Sequence, residues 1–222
     1  MSFRFLLILA LISLSLAGCS TLQKPPPPPP VASEQQPNLL AQKRDWLAEG
    51  KIALTVTTSA ASGDKAALSG SASGDKKEYK ENGNFEWQNQ GGNYAIRFYG
   101  PLGLGAVTLT KEGKLVTFES AKDGTHSAAT AEELMQKLAG WQVPISQLQH
   151  WIKGIPAPGA IEASQKDANG QLIQLKQLGW TIDYSAYSLV NGWTLPGKLI
   201  ATRDHVKVVM VMKNWQLTAA GE

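Results

Sequence analysis

Apolar and polar residues alternate along most of the chain, with glycine-rich reversals between the alternating stretches. Phe85 and Trp87 share one side of one such stretch, and Tyr94, Ile96 and Phe98 share one side of the next. Because successive side chains of a strand point to opposite faces, this period of two predicts strands with one buried face. Its repetition between glycine turns is typical of an antiparallel barrel or sandwich. The Gly/Ser/Asp/Lys-rich stretch 59–84 predicts a long hairpin region, and the segment around Gly192 and Pro196 predicts a loop.

Two short segments in the middle of the chain break this alternation and predict helices. The first begins with a capping box formed by Thr130 and Glu133 and ends at Gly140. The second has Pro144 near its first turn and ends at Gly154. Their apolar faces need a sheet to pack against. The expected fold class is therefore mainly β with helices (α+β): an incomplete antiparallel β-barrel covered by short helices and enclosing a hydrophobic cavity.

The first twenty residues predict export and lipidation. Arg4 precedes an apolar run, Phe5–Leu16, which is shorter than the ~20 residues that span a bilayer. "LAGC", residues 16–19, resembles the bacterial lipobox, and Cys19 is the one cysteine of the chain. We therefore expect residues 1–18 to be a lipoprotein signal peptide and Cys19 to be the lipidated residue. An ordinary secretory signal followed by a free thiol is the alternative.

A proline run separates this N-terminal segment from the rest of the chain. Pro25–Pro30 are six consecutive prolines, which favour polyproline II and make a stiff spacer rather than a core. A ligand for an SH3-type domain is the other interpretation of such a run. The predicted organisation is a lipidated cysteine with its linker over 19–37, one domain over 38–217 and a tail over 218–222.

Composition and motif searches disfavour nucleic-acid binding and catalysis. The chain has 21 Lys and Arg against 18 Asp and Glu, a formal net charge of +3, without a basic stripe. We expect His126, His150 and His205 on the surface, because none has a metal-ligand partner at a suitable spacing. No serine lies in a nucleophile elbow, and "GPLGLG", residues 100–105, fits neither a phosphate loop nor a dinucleotide fingerprint. We predict no enzyme activity, no cofactor and no metal site.

That same turn is unusual because it is apolar. Reversals between strands are normally rich in Gly, Asn and Asp, whereas this one carries Leu102 and Leu104 beside Pro101. One hypothesis is that Leu102, Pro101 and Leu104 form a membrane-insertion loop on a protruding hairpin. The alternative is that the turn folds back under the helices and its leucines join the core.

Four segments together resemble the outer-membrane lipoprotein LolB family. They are "FEWQNQGGNYAIRFYGPLGLGAVTL", "AEELMQKLAGWQVPISQLQHWIKGIPAPG", "GWTIDYSAY" and "VKVVMVMKNW", and the resemblance extends from about Trp46 to Trp215. The lipobox agrees with it. Ser20 agrees as well, because by the sorting convention of bacterial lipoproteins an Asp after the cysteine would retain the protein at the inner membrane.

The resemblance implies a receptor anchored on the periplasmic face of the outer membrane. Such a receptor takes lipoproteins from the soluble periplasmic carrier LolA, holds their acyl chains in a hydrophobic cavity, and inserts them into the inner leaflet of the outer membrane. It implies no nucleotide, and a one-cargo receptor works as a monomer. The residues expected to line the cavity are Trp87, Tyr94, Ile96, Phe98, Leu134, Leu138, Leu148, Trp151 and Ile152.

Two other classes of function stay open at the level of the sequence. One is a lipid-anchored scaffold subunit of an envelope assembly complex, with a filled core and no ligand cavity. The other is a lipoprotein enzyme, which would need a cluster of titratable groups in one cleft. Arg97, in the middle of an aromatic strand, either meets an anionic group or points outward.

Overall fold

Strands dominate the computed structural model, which describes residues 35–58, 77–100, 105–140 and 143–217. Cys19 and the turn residues Pro101, Leu102 and Leu104 lie outside these ranges. The elements in chain order are α1 (Gln36–Gln42), β1 (Trp46–Thr58), β2 (Lys77–Gln90), β3 (Asn93–Tyr99), β4 (Val107–Glu112), β5 (Leu115–Ser120), β6 (Gly124–Ala128), α2 (Ala131–Ala139), α3 (Ile145–Trp151), β7 (Ile161–Lys166), β8 (Leu172–Gln177), β9 (Trp180–Ser185), β10 (Ser188–Val190), β11 (Trp193–Leu195), β12 (Lys198–Arg203) and β13 (Val206–Leu217).

Eleven of these strands form one antiparallel sheet that does not close. Their order is β6-β5-β4-β3-β2-β1-β13-β12-β9-β8-β7, and β10 pairs with β11 in a separate hairpin. The two edge strands, β6 and β7, follow one another along the chain, with α2 and α3 between them. The helices therefore belong to the segment that connects the two edges. This confirms the predicted class, an unclosed antiparallel sheet with short helices.

One face of the sheet carries the apolar core. In β9 the side chains of Trp180, Ile182 and Tyr184 are buried while their neighbours are not, as the period of two requires. Val206, Val208, Met210 and Met212 do the same along β13. The buried residues of the strands and helices form one continuous hydrophobic cluster.

Local signals in the sequence fix the helix ends as predicted. The Thr130 side chain accepts a hydrogen bond from the Glu133 backbone N–H at 3.1 Å, and Gly140 ends α2 with φ of +74°. Glu132 joins the two helices, because its carboxylate accepts hydrogen bonds from the backbone N–H and the hydroxyl of Ser146, at 2.8 and 3.2 Å.

Two features differ from the sequence-based expectations. Helix α1, Gln36–Gln42, is too short to show a periodic pattern, and the sequence did not predict it. The expected loop before Pro196 contains the β10–β11 hairpin, turned at Asn191 and Gly192 with φ of +49° and +85°. In the stretch 59–84, residues 77–84 belong to β2 and pair with the preceding strand β1 in register, as the predicted hairpin requires, and residues 59–76 lie outside the described ranges.

Candidate functional site

The nine residues predicted to line a cavity come together in the apolar interior. Phe98 and Leu138 are partly buried and pack against the core, and the other seven are buried. They reach this interior from one side of β2 and β3 and from the helical segment that connects the sheet edges: Trp87, Tyr94, Ile96, Phe98, Leu134, Leu138, Leu148, Trp151 and Ile152. Arg97, by contrast, is exposed, with its guanidinium 5.4 Å from the centre of the Tyr99 ring.

An aromatic cluster lines the β1–β2 side of this interior. The rings of Trp46 and Trp87 have centroids 5.5 Å apart, and those of Trp87 and Tyr94 lie 6.2 Å apart in an edge-on arrangement. Trp215 joins the cluster through Trp46, at 5.8 Å. Trp46 and Trp215 are not among the nine predicted cavity residues, although each lies near the end of a long strand. Strand pairing between β1 and β13 is what brings them together.

Gln177 forms a buried hydrogen-bond network between α3 and β8. Its Oε1 accepts hydrogen bonds from Trp151 Nε1 at 2.9 Å and from the Ala157 backbone N–H at 3.0 Å. Its Nε2 donates to the Ala157 carbonyl at 2.7 Å. Gln177 is fully buried, and nothing in its local sequence distinguishes it from a surface glutamine.

Lys153 is a buried cation held by carbonyl groups. Its Nζ donates to the Leu40 carbonyl at 3.0 Å and to the Lys43 carbonyl at 3.4 Å, and lies 5.9 Å from the centre of the Trp46 ring. Burial lowers the pKa of Lys153 to about 8, because the charged form loses its water. Lys153 thereby ties the end of α3 to the end of α1.

The expectation of a surface histidine is wrong for His150. Its side chain is half-buried on α3, and burial, followed by the charge of Lys153, lowers its pKa to about 4. The imidazole is therefore neutral at physiological pH. The sequence did not reveal this because the burial of His150 depends on elements that are distant along the chain.

Three polar atoms of buried side chains have no hydrogen-bond partner within the described ranges. They are Trp87 Nε1, Asn89 Oδ1 and the Tyr184 hydroxyl. The amide nitrogen of Asn89 does have one, because Nδ2 donates to the Arg44 carbonyl at 2.6 Å. An unmade hydrogen bond in a buried position costs roughly 1–3 kcal/mol.

Two pockets of the described structure lie apart from most of these nine residues. The first contains none of them, and the second contains only Tyr94. A pocket of about 250 Å³ lies beside the start of α1, where Gln36 and Thr194 exchange hydrogen bonds of 2.7 and 2.9 Å and Tyr187 forms part of the wall. A shallower one of about 370 Å³ runs along β3 and β4, lined by Tyr94 and Lys111 among others.

Within residues 35–58, 77–100, 105–140 and 143–217, no group of three or more His, Cys, Asp or Glu side chains is arranged to hold a metal ion. Among the helices that the structure describes, none combines the length and the apolarity needed to cross a membrane.

The sequence pattern of the family described as "Outer membrane lipoprotein LolB" matches residues 44–215. The "Outer-membrane lipoprotein LolB" of Francisella tularensis subsp. tularensis (strain WY96-3418) is 32% identical over 218 residues, covering 96% of this chain and 95% of that protein. The protein of the same name from Pseudomonas aeruginosa (strain LESB58) is 38% identical over 134 residues, covering 60% of this chain and 65% of that one. A solved LolA superfamily protein from Nitrosomonas europaea aligns with 86% of this chain and 95% of its own, at 8% identity and a TM-score of 0.46. On the family match and the length of the Francisella alignment, this chain belongs to the outer membrane lipoprotein LolB family.

Proposed function

We propose that this protein is a receptor, anchored to the outer membrane through lipidated Cys19, that receives lipoproteins from the periplasmic carrier LolA and inserts them into the inner leaflet. One observation carries the proposal. In a LolB family member, the nine residues expected to line the cavity lie in one apolar interior, four of them on the unclosed sheet and five on the helical segment that connects its two edges. The work of such a receptor is binding and release, without covalent chemistry.

The geometry suits an acyl chain because the interior can enlarge at the gap between β6 and β7. Movement of α2 breaks no strand pairing, since this helix does not belong to the sheet, while α3 stays fixed on β8 through the hydrogen bond from Trp151 to Gln177. Burial of a lipid chain is worth about 0.8 kcal/mol per methylene, so a few additional methylenes in contact give a tenfold preference over the carrier. Directional transfer then needs no nucleotide.

We propose that the β3–β4 turn, with Leu102, Pro101 and Leu104, is the part that enters the membrane interface. The described ends of this hairpin are consistent with a tight reversal, because Tyr99 ends β3 and Gly105 has a left-handed φ of +65°. By strand direction the described ends of this hairpin, Tyr99 and Val107, lie at the same end of the sheet as the β8–β9 and β12–β13 turns. Helix α1 comes directly before the start of β1, which lies at the opposite end of the sheet.

The test separates acceptance of cargo from its delivery. The mature chain with Cys19→Ala, with and without Leu102→Glu, is mixed with LolA loaded with a radiolabelled lipoprotein and then offered liposomes. We expect both proteins to strip the carrier. Delivery by Leu102→Glu should fall by about tenfold or more, because a carboxylate at the tip does not enter an apolar interface.

Leu115→Glu is the matched control, since Leu115 is 53% exposed at the β4–β5 turn, at the other end of the sheet. It should accept and deliver as the parent does. If neither protein accepts lipoprotein, the cavity proposal fails and a scaffold subunit becomes the better explanation. If Leu102→Glu delivers as well as Leu115→Glu, the turn is not the insertion element.

A further inference from the structure

The inner face of β2 presents one unpaired donor beside one unpaired acceptor. Trp87 Nε1 and Asn89 Oδ1 belong to side chains that are 1% and 5% exposed, and neither atom has a hydrogen-bond partner in the described structure. The two residues are separated by one position, so they share a face and their Cα atoms lie about 6.6 Å apart. Native structures rarely leave such groups unpaired without a reason.

The hydrogen bonds described around this pair satisfy neither of the two atoms. Asn89 Nδ2 is already committed to the Arg44 carbonyl, which fixes the assignment of the amide and leaves Oδ1 as the atom without a partner. The nearby carbonyls of Leu40 and Lys43 accept from Lys153, and neither accepts from Trp87. The Trp87 ring belongs to the aromatic cluster, where an acyl chain would run in the proposed function.

We infer that Trp87 and Asn89 recognise the secondary amide that joins an acyl chain to the amino group of its cargo. Such an amide is planar and trans, with a carbonyl oxygen on one edge and an N–H on the other. The carbonyl would accept from Trp87 Nε1, and the N–H would donate to Asn89 Oδ1. This inference rests on the proposed function and names the linkage that the cavity selects.

Other ways of carrying an acyl chain fit the pair less well. An ester satisfies Trp87 through its carbonyl but has no N–H, so Asn89 Oδ1 stays unpaired. A cargo whose amino group is not acylated has a free ammonium there. This group could donate to Asn89 Oδ1, but it offers no acceptor to Trp87 Nε1. It would also bring a second positive charge towards Lys153, whose Nζ is 5.9 Å from the Trp46 ring that packs on Trp87.

The test uses two probes that differ by one group: N-palmitoylglycine methyl ester and the isosteric palmitoyl ester of methyl glycolate. Their affinities for the mature Cys19→Ala chain are measured by displacement of a fluorescent fatty acid. We expect the amide to bind about five- to tenfold more tightly than the ester, the effect of one neutral hydrogen bond. Trp87→Phe should weaken both probes by a similar factor, since both have the carbonyl that loses its donor.

Trp193→Phe is the matched control, because Trp193 is an equally buried tryptophan on β11, outside the proposed lining. It should leave the ratio of the two affinities and their values unchanged. Equal affinities of the parent for amide and ester would overturn the inference while leaving the acyl-binding function standing. Binding of neither probe would instead overturn the proposed function. The parent's ratio needs no variant, so a failure of Trp87→Phe to fold does not remove the test.

Discussion

Two tryptophans in the same interior have opposite hydrogen-bonding states. Trp151, on α3, donates to Gln177, whose Oε1 and Nε2 both have partners in Trp151 and the two backbone groups of Ala157. Trp87, on β2, is equally buried but has no acceptor among the described residues, which likewise offer no donor to Oδ1 of the neighbouring Asn89. The Trp151 region has the features of a structural joint, which fixes α3 against β8. The Trp87 region has the features of a binding surface, which keeps its groups for a ligand.

This difference indicates where the molecule can tolerate change. In the Trp151 region each polar group depends on another, so removal of one member leaves the others buried and unpaired. In the Trp87 region the cost of unmade hydrogen bonds is already present in the folded protein. Mutations should therefore affect mainly stability in the first region and mainly ligand binding in the second.

The largest effect should come from Gln177→Leu. It leaves Trp151 Nε1 and both backbone groups of Ala157 without partners, so we expect the free energy of unfolding to fall by about 3–5 kcal/mol. Urea denaturation measures it. Gln88→Leu is the control, because Gln88 is exposed on the outer face of β2 and its replacement should change stability by less than about 0.5 kcal/mol. A loss below about 1 kcal/mol for Gln177→Leu would show that the network is not a structural joint.

An intermediate effect should appear in the pH dependence of the free energy of unfolding. It comes from Lys153, which follows α3 and lies near the Trp46 ring. Its pKa of about 8 in the folded protein is below the usual 10.5, so the unfolded chain binds more protons between these values. The contribution of Lys153 to stability should therefore rise by about 2–3 kcal/mol from pH 8 to pH 10.5, against a fall from buried tyrosines such as Tyr94, whose pKa burial raises; the Lys153 part is read as the difference between the parent and Lys153→Met. Lys153→Met should abolish this rise, whereas Lys207→Met, at an exposed position of β13, should keep it. A rise that persists in Lys153→Met would assign it to other groups.

His150 gives a second pH-dependent test of the same region, through the free energy of unfolding at acidic pH. Its pKa of about 4 in the folded protein lies below the ordinary 6.5, so stability should fall as pH drops from about 6.5 to about 4. Part of that depression comes from the charge of Lys153. Lys153→Met should therefore also reduce the loss of stability on acidification, as urea titrations at several pH values would show.

The smallest expected effect tests most directly whether Trp151 and Trp87 differ in hydrogen bonding. Trp151→Phe and Trp87→Phe remove the same atoms from equally buried sites, so their cavity costs are similar. Trp151→Phe also breaks a buried hydrogen bond, whereas Trp87→Phe removes a donor that has no acceptor among the described residues. We expect Trp151→Phe to be the more destabilising by about 1–2 kcal/mol in urea denaturation. Equal losses would mean that the two indoles have the same hydrogen-bonding state in solution.

Sequence reasoning was successful where the physics is local. The cap at Thr130, the stop at Gly140 and the alternation through Tyr94 and Ile96 depend on residues within a few positions of each other, and all are present. The set of nine interior residues followed from the same periodicity, because which face of a strand or helix is apolar is a property of the segment itself.

The polar residues of the interior were beyond the reach of such reasoning. Lys153 and the Leu40 carbonyl are 113 positions apart, and Gln177 lies 26 positions from Trp151. Each looks like a surface residue until tertiary structure buries it. Trp46 and Trp215 likewise meet only because β1 pairs with β13. Their proximity depends on which strands become neighbours, and a hydrophobic pattern does not specify that choice.

The central pairing of β1 with β13 has a consequence for how the protein folds. This ladder runs from Trp46 opposite Leu217 to Val56 opposite Val206, so it joins the first strand of the sheet to the last. Each of the other ladders of the sheet connects strands much closer along the chain, and each half of the sheet can assemble from local hairpins. The central ladder must instead close a loop of nearly the whole domain, which is entropically costly and slow. Until the last strand is available, the edge of β1 stays exposed to other chains, so a truncated or stalled molecule should aggregate rather than fold.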